Sequence, residues 1–286
     1  MKDNFKYIQS KMDELKSCHK YNIYGKSMLC QDLIAFHVGK FCGKQLLITG
    51  GIHAREYIST LLCLDILQNY NFSTGCYILP LLNPDGVRLC LDGSDWINDE
   101  QTRKMVERIN NKKDFSQFKA NAYGVDLNEN FDAGFSEGNL IKFLPSASGY
   151  VGEKPNSYEN KYMLKYIKNK NISASISYHT KGEVVYYGFS KLSKNGLKNA
   201  KKLAKIVSKS LKFKKIRSKN SFGGLSDYLS YRKNIPSVTV ELGSDNLSHP
   251  INFSQLETIK KGQMNMLQNV ISEFCVWKFV TYITTI

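Results

Sequence analysis

The sequence predicts an α/β fold in which helices cover both faces of a mixed, largely parallel central sheet. Three observations support this prediction. Short apolar, β-branched runs alternate with amphipathic helical patterns along most of the chain, as expected for a sheet covered on both faces. A chain of 286 residues with 42% hydrophobic and 23% charged residues can bury a sizeable core. No repeat or low-complexity linker divides the chain, so we expect one domain over residues 1–286.

Residue periodicity predicts alternating elements in the first third of the chain. A Gly-containing turn, Gly39–Gly43, joins two of the strands, and a group of helix and strand breakers, Asn83-Pro-Asp-Gly86, ends the third. The predicted elements are a helix over Lys6–Leu15, strands over Leu33–Val38 and Gln45–Thr49, a helix over Arg55–Tyr70 and a strand over Cys76–Leu82.

The remainder of the chain begins with a segment rich in Gly, Asn, Ser and Asp. This segment, Leu91–Tyr158, predicts long loops over one edge of the sheet, with one short helix near Asp99–Asn110. Regular structure then resumes. The predicted elements are helices over Ser157–Lys168, Leu192–Leu211, Leu225–Arg232 and Ser254–Phe274, and strands over Ile172–Tyr178, Glu183–Tyr187 and Ser237–Leu242.

The charge of the chain is strongly positive, since Lys plus Arg exceed Asp plus Glu by 40 − 25 = 15. Such an excess favours anionic partners. The densest basic run, Lys191–Lys215, spaces its lysines around apolar residues as a solvated helix face does. A nucleic-acid patch is the alternative, but aromatic residues for base stacking are nearly absent there. We therefore expect no nucleic-acid partner.

Two features favour a cytoplasmic protein. The N-terminal residues carry charges every few positions, and no window approaches the ~18–20 apolar residues that span a bilayer, so we expect no membrane association. Seven cysteines at irregular spacings favour reduced, packed thiols over a disulfide framework. The apolar C-terminal run, Phe274–Ile283, is too short to span a bilayer, and we expect a packed tail.

A His-x-x-Glu pair, His53 and Glu56, directly follows the predicted strand Gln45–Thr49. An imidazole and a carboxylate three positions apart on a first helical turn can bind one cation, and catalytic zinc sites take three such protein ligands. Of the five histidines, His179 is the one that follows a buried strand and precedes a glycine turn. The structural or surface alternative is favoured for His19, His37 and His249.

Glu241 ends an otherwise apolar strand, Ser237–Val240. A carboxylate there must be paired or functional, because a lone buried charge is costly. One interpretation is a structural ion pair with a lysine. The other is a general base that accepts a proton from the water that zinc activates and then passes it to the leaving amine.

Five ordered motifs together resemble the zinc carboxypeptidase family. They are His53-x-x-Glu56, Asn83-Pro-Asp-Gly86, Gly124-Val-Asp-Leu-Asn128, His179 and Thr239-Val-Glu241. The resemblance covers some two hundred residues and implies the family's fold. It also implies that His53, Glu56 and His179 bind Zn²⁺, that Glu241 is the catalytic base and acid, and that Arg55 and Asn128 contact the substrate.

The segments around His179 and Asn128 most resemble bacterial γ-D-glutamyl-L-diamino acid and γ-D-glutamyl-meso-diaminopimelate peptidases. The resemblance implies a zinc-dependent peptidase of peptidoglycan stem peptides, with a muropeptide as partner. Two alternatives remain open. One is a zinc-binding protein of the same fold without peptidase activity, and the other is a zinc amidohydrolase of another acylated amino acid.

The chain departs from the family in places that bear on the substrate. Glu129 stands where carboxypeptidases have an arginine that clamps the terminal carboxylate, which disfavours ordinary C-terminal trimming. We expect Glu129 to contact an ammonium group of the leaving residue, or alternatively to face solvent. In the segment around Tyr123 the family usually has arginine at one or more positions, and one such arginine can stabilise the oxyanion. Lys119 and Arg55 are the candidates to replace that arginine here. The segment Arg217–Phe222 also lacks the family's tyrosine.

Overall fold

The core of the fold is an eight-stranded sheet. We describe it from a computed structural model, which covers residues 4–41, 43–135, 137, 144–155 and 157–276. Within these ranges the strands are β1 Lys20–Lys26, β2 Asp32–Val38, β3 Gln45–Thr49, β4 Cys76–Leu79, β5 Ile172–Thr180, β6 Val184–Tyr187, β7 Lys214–Arg217 and β8 Ser237–Leu242. The helices are α1 Phe5–Cys18, α2 Ile58–Asn69, α3 Pro84–Asp92, α4 Glu100–Asn110, α5 Tyr158–Ile167, α6 Lys194–Leu211, α7 Leu225–Arg232, α8 Leu256–Ile259 and α9 Gln263–Phe274.

The strands lie in the order β1-β2-β4-β3-β5-β8-β6-β7. The central strands β4, β3, β5 and β8 are mutually parallel, as are β6 and β7. The pairs β1–β2, β2–β4 and β6–β8 are antiparallel. The predicted mixed, largely parallel sheet is therefore confirmed. Because β3, β5 and β8 are parallel, their carboxyl ends lie side by side at one edge, where ligand sites of such sheets form.

Helices cover both faces of the sheet, as predicted. Alternate residues of β3 point to opposite faces, so Leu46 and Ile48 belong to one apolar core and Leu47 to the other. The larger core includes residues of α1, α2, α6 and α9, and the smaller core includes residues of α5 and α7. The sheet is thus enclosed along its centre, and the site has to form at the strand ends.

Two strands were not expected from the sequence. β1 and β7 are the two edge strands, and most of their residues are exposed or only partly buried. An edge strand with two largely solvated faces needs no alternation of apolar and polar residues. The periodicity on which strand prediction depends is therefore absent from Lys20–Lys26 and Lys214–Arg217.

Several predicted boundaries were wrong. β4 stops at Leu79 rather than Leu82 because Pro80 follows it and has no backbone N–H for the ladder. The group Asn83–Gly86 begins α3 rather than a loop: Pro84 occupies the first turn and the Asn83 side chain accepts from Gly86 N. The predicted final helix Ser254–Phe274 is broken between α8 and α9, where Gly262 has φ +81°.

The remaining expectations concern cysteines and membranes. The six described cysteines are free, and four of them are buried; Cys42 lies outside the described residues. No helix among the described residues is long and apolar enough to cross a bilayer. Most of the apolar C-terminal run, from residue 277 onward, lies outside the described residues as well.

Candidate active site

The three predicted zinc ligands lie together at the carboxyl edge of the sheet. His53 follows β3, Glu56 ends a short 3₁₀ helix over Ala54–Glu56, and His179 lies near the end of β5. The Nδ1 atom of His53 lies 2.9 Å from Glu56 Oε1, and Nδ1 of His179 lies 3.1 Å from Glu56 Oε2. One ligand atom from each residue lies within 4.8 Å of the others, and all three residues are buried.

A sharp turn after β3 places His53 and Glu56. Gly51 has φ +62°, and a Cβ at this position would lie 2.4 Å from Thr60 Oγ1. Only glycine fits such a left-handed, crowded position without strain. The turn is fixed by bonds from Gly51 N to Ser59 Oγ (2.9 Å) and from Ala54 N to Lys119 O (2.9 Å). The loop that carries two of the ligands is thus rigidly attached to the start of α2 and to the segment around Lys119.

The Glu56 carboxylate is the acceptor around which the ligands are arranged. Besides both imidazoles, the backbone N of Thr180 donates to its Oε2 at 3.2 Å. Burial opposes the charged carboxylate, but His53 and His179 together hold the pKa of Glu56 well below its usual range. Glu56 is therefore an anion in an enclosed site.

Asp126 is a site residue to which the sequence assigned no role. Its Oδ1 accepts from His53 Nε2 at 3.0 Å and from Asn128 N at 2.9 Å, while its Oδ2 accepts from Lys119 Nζ at 2.5 Å. Although burial opposes ionisation, His53 and Lys119 hold the pKa of Asp126 well below its usual range. The signal was available in the Gly124-Val-Asp motif, since a buried acid beside a metal-ligand histidine commonly orients its ring.

The charge of His53 follows from its two carboxylate neighbours. Burial alone would lower the pKa of His53, but Glu56 and Asp126 raise it to about 9. Burial lowers the pKa of His179 despite its contact with Glu56. In this arrangement His53 carries the positive charge that balances the carboxylates, at the place where a cation would contact its Nδ1.

The donor set fits zinc. Two imidazoles and a carboxylate are the ligands found in catalytic zinc sites, and His53 already has the carboxylate on its second nitrogen that such ligands use. Nδ1 of His179 faces Glu56, and its buried Nε2 has no hydrogen-bond partner among the described residues. His53, Glu56 and His179 are therefore the residues that would hold the ion, with His53 losing its proton on binding.

Glu241 lies directly beside His179, because β5 and β8 pair in parallel with these two residues as Cα partners. Burial and then the nearby Glu56 carboxylate raise the pKa of Glu241 to about 8, while His53 and Lys119 oppose the shift. A divalent cation bound by the three ligands would offset part of this rise, because it attracts the ionised Glu241 carboxylate and so lowers its pKa. The carboxylate is thus placed to exchange protons close to neutrality.

A cleft of about 580 Å³ opens beside Glu241. Most of the residues that line it are polar: Asn128, Tyr186, Tyr187, Gly188, Arg217, Ser218, Lys219, Asn220, Ser221, Gly224, Ser226, Asp227, Ser237, Thr239 and Glu241. Asn128 is held there by its Oδ1, which accepts from Leu225 N at 3.0 Å at the start of α7. Five residues of the segment that departs from the family pattern, Arg217 to Ser221, therefore form one wall of the cleft.

The other predicted substrate contacts have different surroundings. Arg55 and Glu129 are not among the described residues that line the cleft. Arg55 has a buried Nε without a hydrogen-bond partner within the described part of the chain. Glu129 is partly buried and close enough to raise the pKa of Lys119. Tyr123 is 41% exposed, whereas Lys119 reaches the site through its contact with Asp126.

Comparison with known proteins identifies related sequences. A family model described as zinc carboxypeptidase matches residues 6–266. The γ-D-glutamyl-L-diamino acid endopeptidase 1 of Lysinibacillus sphaericus is 28% identical over 255 residues, which is 82% of this chain and 63% of that protein. Bovine carboxypeptidase O is 29% identical over 182 residues, which is 57% of this chain and 45% of the bovine protein. This chain spans less than two thirds of either relative.

Solved structures share the fold. Bovine thrombin-activatable fibrinolysis inhibitor has a TM-score of 0.74 at 20% identity, covering 96% of this chain and 97% of its own. The murein-tripeptide amidase MpaA of Escherichia coli O157 has a TM-score of 0.59 at 19% identity, covering 88% and 91%. These likenesses confirm the predicted fold. The family match, together with the group His53, Glu56 and His179, confirms the predicted zinc cofactor.

Proposed function

Since the chain belongs to the zinc carboxypeptidase family, we propose that it is a zinc-dependent peptidase that cleaves γ-D-glutamyl-diamino acid bonds in peptidoglycan stem peptides. The observation that carries the proposal is the placement of Glu241 beside His179, next to the buried group His53, Glu56 and His179. A proton acceptor that lines an open cleft and lies beside a metal-ligand cluster is the arrangement that metal-assisted amide hydrolysis requires.

The residues divide the chemistry between them. Zinc held by His53, Glu56 and His179 supplies a Lewis acid that polarises a carbonyl and lowers the pKa of water. Glu241 takes a proton from the attacking water onto its carboxylate and gives it to the nitrogen of the leaving amine as the C–N bond breaks. Its raised pKa, near 8 before any cation lowers it, suits both directions of transfer at neutral pH.

Lys119 is the candidate for stabilising the oxyanion. It is mostly buried, and its ammonium group donates to Asp126 at 2.5 Å, on the far side of the carboxylate from His53. Burial opposes its charge, but Asp126, Glu56 and Glu129 raise the pKa of Lys119, so it stays protonated. A fixed ammonium in an enclosed site stabilises negative charge that develops on a carbonyl oxygen.

Two kinds of observation favour a peptidoglycan substrate. The relative from L. sphaericus is named for hydrolysis next to an L-diamino acid, and one structural neighbour is named a murein-tripeptide amidase. In this chain Glu129 replaces the arginine expected in carboxypeptidases proper, so recognition of a terminal carboxylate at that place is lost. Glu129 lies near Lys119, and in our proposal it helps to set the charge of the site.

The test is hydrolysis of synthetic L-Ala-γ-D-Glu-meso-diaminopimelate by the zinc-loaded protein, followed by mass spectrometry. We expect cleavage at the γ-D-glutamyl bond by the wild type and by Glu257→Gln, which removes an exposed carboxylate on α8. Glu241→Gln should retain zinc, measured by elemental analysis, and lose activity.

Three results would contradict the proposal. Full zinc occupancy without turnover of this peptide would indicate the zinc-binding protein without activity. Turnover of other N-acyl amino acids instead would indicate the amidohydrolase. Turnover of the peptide by Glu241→Gln at the wild-type rate would remove Glu241 from the mechanism.

A further inference from the structure

The cleft beside Glu241 is lined by Arg217 and Lys219, and neither side chain forms an ion pair with a carboxylate among the described residues. We infer that Arg217 and Lys219 bind a carboxylate at the end of the leaving residue's side chain, so that the protein selects diaminopimelate over lysine. This inference rests on the proposed function, because it concerns the residue released by the cleavage described above. It goes further by naming the two residues that determine the choice of diamino acid.

The walls of the cleft favour a polar side chain. Serine and threonine hydroxyls and the amides of Asn128 and Asn220 contribute much of the lining, and the two aromatic residues are Tyr186 and Tyr187. Ser226 Oγ and Thr239 Oγ1 already bond each other at 3.0 Å. Pockets for apolar side chains are lined mainly by hydrophobic residues, so this one is unsuited to an apolar leaving residue.

Arg217 lines the cleft, and the adjacent backbone restrains its side chain. It ends the edge strand β7, and its Nε donates to the carbonyl oxygen of Gly188 at 3.4 Å. Gly188 has φ +81°, and a Cβ there would lie 3.3 Å from Arg217 Cγ, so the backbone approaches the arginine closely. This contact restrains one edge of the guanidinium and leaves its two terminal nitrogens for the planar, paired contact that carboxylates make.

The two cations of this wall are not paired with the carboxylates that share the cleft lining, Asp227 and Glu241. The stretch from Val184 to Ser226 contains eleven lysines and one arginine, without any aspartate or glutamate. Lys191 and Lys202 pair with glutamates outside this stretch, but within the described residues neither Arg217 nor Lys219 forms an ion pair. An anionic group entering the cleft would therefore meet both cations without displacing a protein carboxylate.

The cleft also offers a place for an ammonium group. Asp227 lines the same cleft at the start of α7, where Ser221 Oγ donates to its Oδ2 at 2.6 Å. Positive and negative groups on one lining match a side chain that ends in both an ammonium and a carboxylate. Diaminopimelate has such an end, whereas lysine has only the ammonium.

The decisive comparison uses three peptides that differ only in the leaving residue. They carry meso-diaminopimelate, its side-chain carboxamide and L-lysine, each with the same free α-carboxylate. We expect the wild type to cleave the diaminopimelate peptide with a kcat/KM about tenfold or more above the other two, as loss of charged, paired hydrogen bonds predicts. Arg217→Gln with Lys219→Gln should abolish this preference by lowering kcat/KM for the diaminopimelate peptide by about tenfold or more.

Lys209→Gln with Lys212→Gln is the matched control, because both lysines are exposed at the end of α6 and neither lines the cleft. This variant should keep the wild-type preference. Equal cleavage of all three peptides by the wild type would overturn the inference while leaving the proposed function intact. So would an equal loss on all three peptides in the Arg217/Lys219 variant, since the α-carboxylate would then be the bound group.

Binding separates the inference from the proposed function. In the Glu241→Gln background, calorimetry with the same peptides should show about tenfold tighter binding of the diaminopimelate peptide. The additional Arg217→Gln and Lys219→Gln changes should remove this difference. If the wild type cleaves none of the peptides, the proposed function fails, and the binding preference still decides the inference: its presence supports the role of Arg217 and Lys219, and its absence refutes it.

Discussion

Nε2 of His53 lies 3.0 Å from Oδ1 of Asp126, while Nδ1 of the same ring faces Glu56. This contact fixes the orientation of the imidazole and connects it, through Asp126, to Lys119. The metal-ligand group is therefore held by a second layer of buried charges.

Asp126→Asn should weaken zinc binding by about 10–100-fold, because such carboxylate partners orient and polarise a ligand histidine. A competition titration with a chelator of known affinity measures the change. Asp132→Asn is the control, since Asp132 pairs with Arg232 at the surface, and it should bind zinc like the wild type. Unchanged affinity in Asp126→Asn would show that the His53 contact is only structural.

Lys119→Met should lower kcat/KM by about 10²–10³-fold, the loss that follows removal of one oxyanion donor. Lys119→Arg should recover much of the activity, because it restores a cation at the same place. Zinc content has to be measured on both variants, because Lys119→Met removes a partner of Asp126, which contacts the ligand His53. A Lys119→Met protein with full zinc and wild-type kcat/KM would rule out the oxyanion role.

Glu159, which is not one of the metal-ligand residues, should make the stability of the protein depend on pH. It is 2% exposed, Asn121 Nδ2 donates to its Oε2 at 3.3 Å, and burial raises its pKa to about 7. Its pKa in the unfolded chain is ~4.3, so the folded state holds the proton more tightly. Its contribution to stability is complete below pH ~4.5 and is lost as the pH rises to about 7.

Glu159→Gln should therefore unfold like the wild type near pH 4.5 and be more stable by up to ~3 kcal/mol at pH 8, where the wild type carries a buried charge. Asp85, whose pKa burial raises to about 6, contributes its own pH dependence to both proteins. Urea unfolding across this pH range measures the difference. Glu153→Gln, at an exposed position, should follow the wild type, and parallel curves for Glu159→Gln would refute the prediction.

Substitution of the buried Asn83 should cause a large loss of stability. Its Nδ2 donates to Ile52 O at 3.2 Å and to Ala120 O at 2.9 Å, and its Oδ1 accepts from Gly86 N at 3.0 Å. Asn83→Ala would leave these buried groups unpaired, so the free energy of unfolding should fall by ~3 kcal/mol. Urea unfolding measures it. Asn69→Ala, on an exposed part of α2, should change it by less than ~0.5 kcal/mol.

The sequence by itself determined the central architecture and the metal ligands as candidates. Buried strands such as β3 and β5 must be apolar and bounded by breakers, so their pattern is visible without coordinates. His53, Glu56 and His179 were identifiable because polar ligand types interrupt the pattern at strand ends. The two solvated edge strands, in contrast, carry no such pattern, and only backbone pairing across the sheet revealed them.

Only the tertiary structure decided which polar residues meet. Asp126 and Lys119 stand seven positions apart, and neither type of residue is unusual in a loop; the contact with His53 depends on the turn at Gly51 and on parallel pairing of distant strands. The sequence likewise contained no indication that Arg217 and Lys219 line the cleft, because both lie in or next to a basic run typical of a solvated surface. The local pattern of apolar and polar residues indicates which residues are buried and whether a segment is a helix or a strand. Contacts between charges far apart in sequence arise only from the packing of the whole chain.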